Sequence, residues 1–149
     1  MGGAMRLSVQ AAAFDAGGAL NAFTAGVAGA GAIVSFTGIV RGSSAVTAME
    51  IEHYPGMTEA AIGTMMAQAV ARWTLADALV IHRHGRLGVG EPIMMVATAA
   101  PHRLAAFQAA EFLMDYLKSR APFWKKEVGV DGVAWVAAKD DDEQALGRW

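Results

Sequence analysis

Residues 101–120, PHRLAAFQAAEFLMDYLKSR, are the stretch from which the rest of the chain can be read. Ala106, Phe107, Ala110, Leu113, Met114 and Leu117 recur at helical spacing, with Gln108, Glu111, Asp115 and Lys118 between them. That period predicts an amphipathic helix, and Pro101 suits its first turn. Pro122 stops it, because the residue before a proline is pushed out of helical geometry. Beyond it, residues 123–128 and 133–137 read as strands, and 140–146 as a polar terminal helix whose acidic start suits the helix dipole.

Upstream, the apolar runs 79–84 and 93–99 predict paired interior strands, with turn chemistry over 85–92 supplied by Gly88, Gly90 and Pro92. Ala61, Ile62, Met65, Met66, Ala69, Val70 and Trp73 predict a second helix, capped by Thr58. Residues 32–40 and 46–54 predict two strands paired with each other across the polar turn Arg41-Gly42-Ser43-Ser44. In the second of these, Met49 and Ile51 take one face, Glu50 and Glu52 the other. Residues 5–10 form a first strand, and Asp15 caps a short helix carrying Leu20, Phe23 and Val27, which Gly26 to Gly31 breaks. Strands and helices in the order β-α-β-β-α-β-β-α-β-β point to an α+β sandwich with mixed or antiparallel sheets and packed helices, not a doubly wound sheet. With 149 residues, no repeat and no linker, 1–149 is expected to be a single domain.

Hydrophobic residues make up 54% of the chain and charged residues 17%, so the surface is short of polar cover and an oligomer is expected. A net charge of −2 gives no general attraction to nucleic acid or anionic membrane, so any anion binding must be local. The chain has no cysteine, hence no disulfide, no thiolate metal ligand and no persulfide of its own. The opening Met1-Gly2-Gly3-Ala4-Met5-Arg6 lacks an export signal, and no apolar run nears the ~20 residues that cross a bilayer. A soluble, cytoplasmic protein without a bound cofactor is expected.

Four cations, Lys118, Arg120, Lys125 and Lys126, follow one another with no acid among them until Glu127. They are either solvated side chains at a helix end or a local anion site. Strand alternation sends Lys125 and Lys126 to opposite faces. His102 and Arg103 stand in the first turn of the helix, where the dipole disfavours cations; they are an ordinary surface pair or part of a phosphate site. His82 and His84 share a strand face, but no third ligand stands at a metal-site spacing, so no metal is expected. His53 reads as a structural residue at a strand end, and Phe123 and Trp124 as core or interface anchors. The Gly26 to Gly31 run lacks the Lys-Ser or Lys-Thr of a nucleotide loop, and no nucleophile elbow is present. Residue chemistry alone reaches an anion-binding pocket of lysine, arginine and histidine. It leaves open a transferase, a non-catalytic anion-binding scaffold and a metal-dependent hydrolase.

The runs Phe36-Thr37-Gly38-Ile39-Val40-Arg41, Glu52-His53-Tyr54-Pro55-Gly56-Met57-Thr58, Ile81-His82-Arg83, Ala100-Pro101-His102-Arg103, the stretch 114–127 and the final Arg148-Trp149 follow one another in an order that resembles the large subunit of molybdopterin synthase. The resemblance spans nearly the whole chain. It implies an α/β-hammerhead fold and a homodimer that carries a small ubiquitin-like sulfur-carrier subunit at each end, a heterotetramer. It further implies transfer of sulfur from a thiocarboxylate on the carrier's C-terminal Gly-Gly tail to cyclic pyranopterin monophosphate, forming the molybdopterin dithiolene. By the same resemblance Lys118 and Lys125 are the catalytic lysines. Ile39, Val40, Arg41, His102, Arg103, Lys126 and Glu127 join them as substrate-binding positions, with His102 and Arg103 entering from the other protomer. Two departures stand out: the loop Gly42-Ser43-Ser44-Ala45 is shorter than the family's, and His84 occupies a position the family fills with an apolar residue.

Overall fold

In a computed structural model, residues 4–136 and 140–149 are described. The readings placed on Met1, Gly2, Gly3 and Ala137 lie outside them. Two four-stranded sheets share the strands. β1 (Ala4–Gln10), β4 (Asp77–Arg83), β6 (Pro92–Ala100) and β2 (Ala32–Ile39) form the first, in that order. β5 (Gly85–Gly88), β3 (Val46–His53), β7 (Phe123–Gly129) and β8 (Gly132–Val136) form the second. The first is mixed, since β1 runs parallel to β4, and the second is antiparallel throughout.

The central strands of the first sheet, β4 and β6, are buried at nearly every position and mostly apolar, with Asp77, His82, Arg83 and Thr98 as the buried polar exceptions. In β4, Leu79 and Ile81 pack with Phe23 of α1 (Ala16–Gly26). Ala78 and Val80 face the larger core under α2 (Met57–Trp73) and α3 (Arg103–Ser119). His82 follows Ala78 and Val80 in the two-residue alternation and takes their face. α4 (Asp140–Leu146) packs on α3, where Glu143 pairs with Arg120 at 2.9 Å.

The helix read over 101–120 forms as Arg103–Ser119, with His102 as its extended N-cap and Pro101 before it instead of in its first turn; the pair 79–84 with 93–99 forms as β4 and β6, His84 falling just past β4. The pairing of 32–40 with 46–54 does not form. β2 hydrogen-bonds to β6 and β3 to β5 and β7, in different sheets, so the Arg41 turn is a passage between sheets. Residues 85–88, read as a turn, form β5, a four-residue edge strand too short for hydrophobic period to reveal. Nor is Thr58 the cap of α2. Gly56 takes that position at φ 84°, its N–H donating to Glu59 Oε2 at 2.9 Å. Thr58 instead is fully buried, accepts the Tyr54 N–H at 3.0 Å and donates to the Pro122 carbonyl at 3.0 Å. Asp15 does stand at the N-cap of α1, without a side-chain hydrogen bond to it.

Candidate active site

Pro122 turns the chain from α3 into β7, and the turn closes through Ala121 N–H donating to the Tyr116 carbonyl at 3.1 Å. Thr58 pins it from α2. This brings Lys118, in the last turn of α3, to the same place as Lys125, two residues into β7. Both line a cleft of about 500 Å³. Ile39 and Arg41 enter from the end of β2, Met49 and Glu127 from the second sheet, and Asp142 from α4. The cleft narrows to an inner chamber of about 50 Å³, where Lys118 and Lys125 meet Phe36, Met94, Met114 and His82.

Lys125 occupies a central strand, opposite Ile51 on β3 and Val136 on β8. Burial of its amine is the main reason its pKa falls to about 8; the Lys118 charge lowers it further and Asp142 opposes. His82 is buried still more deeply, and desolvation, then Lys125, hold it neutral to about pH 3. Its Nδ1–H donates to the Arg83 carbonyl at 2.8 Å, and its ring stacks on Phe123 at 3.8 Å.

Of the residues singled out from sequence, Ile39, Arg41, Lys118, Lys125 and Glu127 line the cleft. Val40 does not. It is 1% exposed in the core, its N–H donating to the Glu91 carbonyl and its own carbonyl accepting from Gly90 N–H, both at 2.9 Å. Its backbone thereby fixes the two residues that flank it. Lys126 lies on the opposite face of β7, 3.1 Å from Glu52 Oε1 and 4.3 Å from the centre of the Trp135 ring. Arg120 turns outward to Glu143. The four neighbouring cations thus separate into two in the cleft and two outside it. His102 and Arg103 are exposed at the other end of α3, about 24 Å from Lys118 at 1.5 Å per helical residue. Neither lines the cleft that holds Lys118 and Lys125.

Phe123 is half-buried in the cleft wall, while Trp124 packs edge-on against Tyr54. The pair His82 and His84 is divided: His84 lies past the end of β4 and stacks on His53 at 4.0 Å. Among the described residues no group of three His, Cys, Asp or Glu is placed to hold a metal. Within the short loop after Arg41, Ser43 Oγ accepts the N–H groups of Ala45 and Val46, each at 3.2 Å. That serine turn closes the loop tightly between Arg41 and β3. Asp142, Met114 and Phe36 were not singled out, since a helix acid and two apolar side chains carry no local mark of a site.

The family described as MoaE protein matches residues 9–120. The chain belongs to the MoaE family. A MoaE relative in Cereibacter sphaeroides, named molybdopterin synthase catalytic subunit, is 68% identical over 146 residues, covering 97% of this chain and 100% of its own. Among solved structures, the molybdopterin biosynthesis MoaE protein of Burkholderia ambifaria superposes with a TM-score of 0.83 at 46% identity, covering 98% of both chains. Molybdopterin synthase from Staphylococcus aureus gives 0.77 at 25% identity, over 87% of this chain and 96% of its own. No helix among the described residues is long and apolar enough to cross a membrane.

Proposed function

We propose that this MoaE-family chain is the catalytic subunit of a molybdopterin synthase in the cytoplasm. It moves sulfur from the thiocarboxylated C-terminus of a small ubiquitin-like carrier to cyclic pyranopterin monophosphate, building the molybdopterin dithiolene. The observation that carries this reading is the cleft holding Lys118 and Lys125 together, with Arg41 at its rim, in a chain of net charge −2. Both reactants are anions, and preorganised cations stabilise the negative charge that develops when sulfur attacks. Lys125, with a pKa near 8, also exchanges a proton close to neutral pH. The lack of cysteine fits a sulfur donor delivered by a partner. Side chains and the two reactants supply the chemistry without a resident cofactor.

The working unit in this proposal is a homodimer with one carrier at each end. Leu104 and Phe107, 66% and 56% exposed, follow His102 and Arg103 at the start of α3 and offer an apolar contact for a second copy. Such a contact would deliver the partner's cations to a cleft they cannot reach in their own chain. Mixing the purified chain with thiocarboxylated carrier and cyclic pterin tests the function through dithiolene formation. Lys118→Ala is expected to lower the rate about 100-fold or more while fold and carrier binding persist. Full activity of that variant would overturn the assignment.

A further inference from the structure

The inner chamber holds a buried polar group that the lysines do not explain. His82 is 1% exposed, and one of its nitrogens is committed: Nδ1 faces a carbonyl oxygen, which only accepts, so the ring hydrogen sits there. Arg83, which supplies that carbonyl, is itself tied down. Its guanidinium donates to the Ala11 carbonyl at 3.1 and 3.2 Å and to Glu91 Oε1 at 3.0 Å. The stack on Phe123 fixes the ring plane. Nε2 is therefore left as a lone-pair acceptor in a fixed direction, and it has no hydrogen-bond partner among the described residues. Among the described residues the sealed and unpartnered side-chain atom is Glu59 Oε1; His82 instead lines the chamber, which leaves a void beside its ring for a ligand to fill.

We propose that His82 is a substrate-contacting residue of the transfer reaction, its Nε2 accepting a hydrogen bond from an N–H group of a reactant whose anionic end lies on Lys118 and Lys125. The inference rests on the function proposed above and adds a polarity to the site. Cations take the acceptor-only ends, phosphate or thiocarboxylate, whereas a neutral lone pair repels those and selects a donor beside them. A protonated imidazole would do the reverse; the burial that keeps His82 uncharged preserves the acceptor. The chamber, at about 50 Å³, has room for a few waters and so takes the tip or edge of a ligand, not a whole one. Two N–H sources satisfy this chemistry: the peptide amides of a glycine tail, and the edge of the pterin.

His82→Phe keeps a ring against Phe123 and removes the acceptor; His82→Gln returns an acceptor on a chain of similar reach. Each is assayed in the assembled enzyme with thiocarboxylated carrier and cyclic pterin. Carrier affinity is measured separately by calorimetry, using carrier with its plain C-terminal carboxylate. His82→Phe is expected to weaken one reactant about tenfold, as a larger KM for the pterin or a larger Kd for the carrier, and His82→Gln to recover part of it. Whichever constant moves identifies the N–H donor. If neither moves in a folded, active His82→Phe enzyme, the inference is overturned while the proposed function stands. If the wild-type chain forms no dithiolene, the functional reading itself has failed. Should His82→Phe not fold, ¹⁵N spectra of the wild-type ring decide. The Nε2 resonance is expected to move upfield on adding carrier or pterin, and no movement with either overturns the proposal.

Discussion

Lys125 is held in the fold at a cost to its charged form, and the consequences are measurable. Its folded pKa, near 8, lies below the ordinary 10.5, so the unfolded chain binds the proton more tightly. The charge destabilises the folded state at neutral pH, and stability is regained as pH rises from about 8 to 10.5. Lys125→Met is expected to abolish sulfur transfer yet raise unfolding stability at pH 7 by about 1–3 kcal/mol, measured in urea. If the neutral amine is the working form, kcat climbs through an ionisation near pH 8, and Lys125→Arg removes that limb. His82 responds at the other end of the scale. Depressed from 6.5 to about 3, it contributes stability above pH 6.5 that is lost as pH falls toward 3, by up to ~1.4 kcal/mol per unit. Denaturant melts between pH 7 and 4 are expected to show this slope, and His82→Phe to flatten it.

At the scale of elements, the turn at Pro122 sets the distance between the two lysines, and Thr58 holds that turn from another helix. Removing its hydroxyl leaves the Tyr54 N–H and the Pro122 carbonyl, both partly buried, without their partner. Thr58→Val is expected to cost about 1–3 kcal/mol of stability. It should also lower kcat with little change in carrier affinity, since it loosens the placement of Lys125 and not the rim of the cleft. Unchanged kcat would show that the turn is held without it. The same element shows how sequence reading reaches its limit. A threonine three residues after Pro55 has the look of a helix cap, but Gly56 adopts the positive φ that starts the helix two residues earlier. Thr58 then falls on the buried side, a role that no local pattern announces.

For the whole molecule, the separation of His102 and Arg103 from the lysines makes the dimer a functional question. A chain carrying Lys118→Ala and a second carrying His102→Ala with Arg103→Ala are each expected to be nearly inactive. Mixed, they form hybrid dimers in which one cleft has every residue intact, and a measurable part of the activity should return. No recovery on mixing would remove the shared-site arrangement. Phe107→Asp, placing a charge on the exposed apolar face of α3, is expected to shift the sedimentation of the dimer toward monomer.

What the sequence determined by itself was local and periodic. The helix within 101–120, the strands read at 79–84 and 93–99, the opposite facing of Lys125 and Lys126, and the proline turn between two lysines all follow from period, propensity and backbone restriction within a few residues. Its motifs also carried the family. Only the tertiary structure decided which strands pair, because β2 and β3 are each good strands and hydrogen-bonding partners are chosen by where the apolar faces bury, not by nearness in the chain. It alone turned Val40 into the core, split the four cations into two inside and two outside, and buried His82 as an uncharged ring beside the chamber. The physical reason is common to these cases. Burial and charge proximity are sums over residues far apart in sequence, and they exist only once the chain has folded.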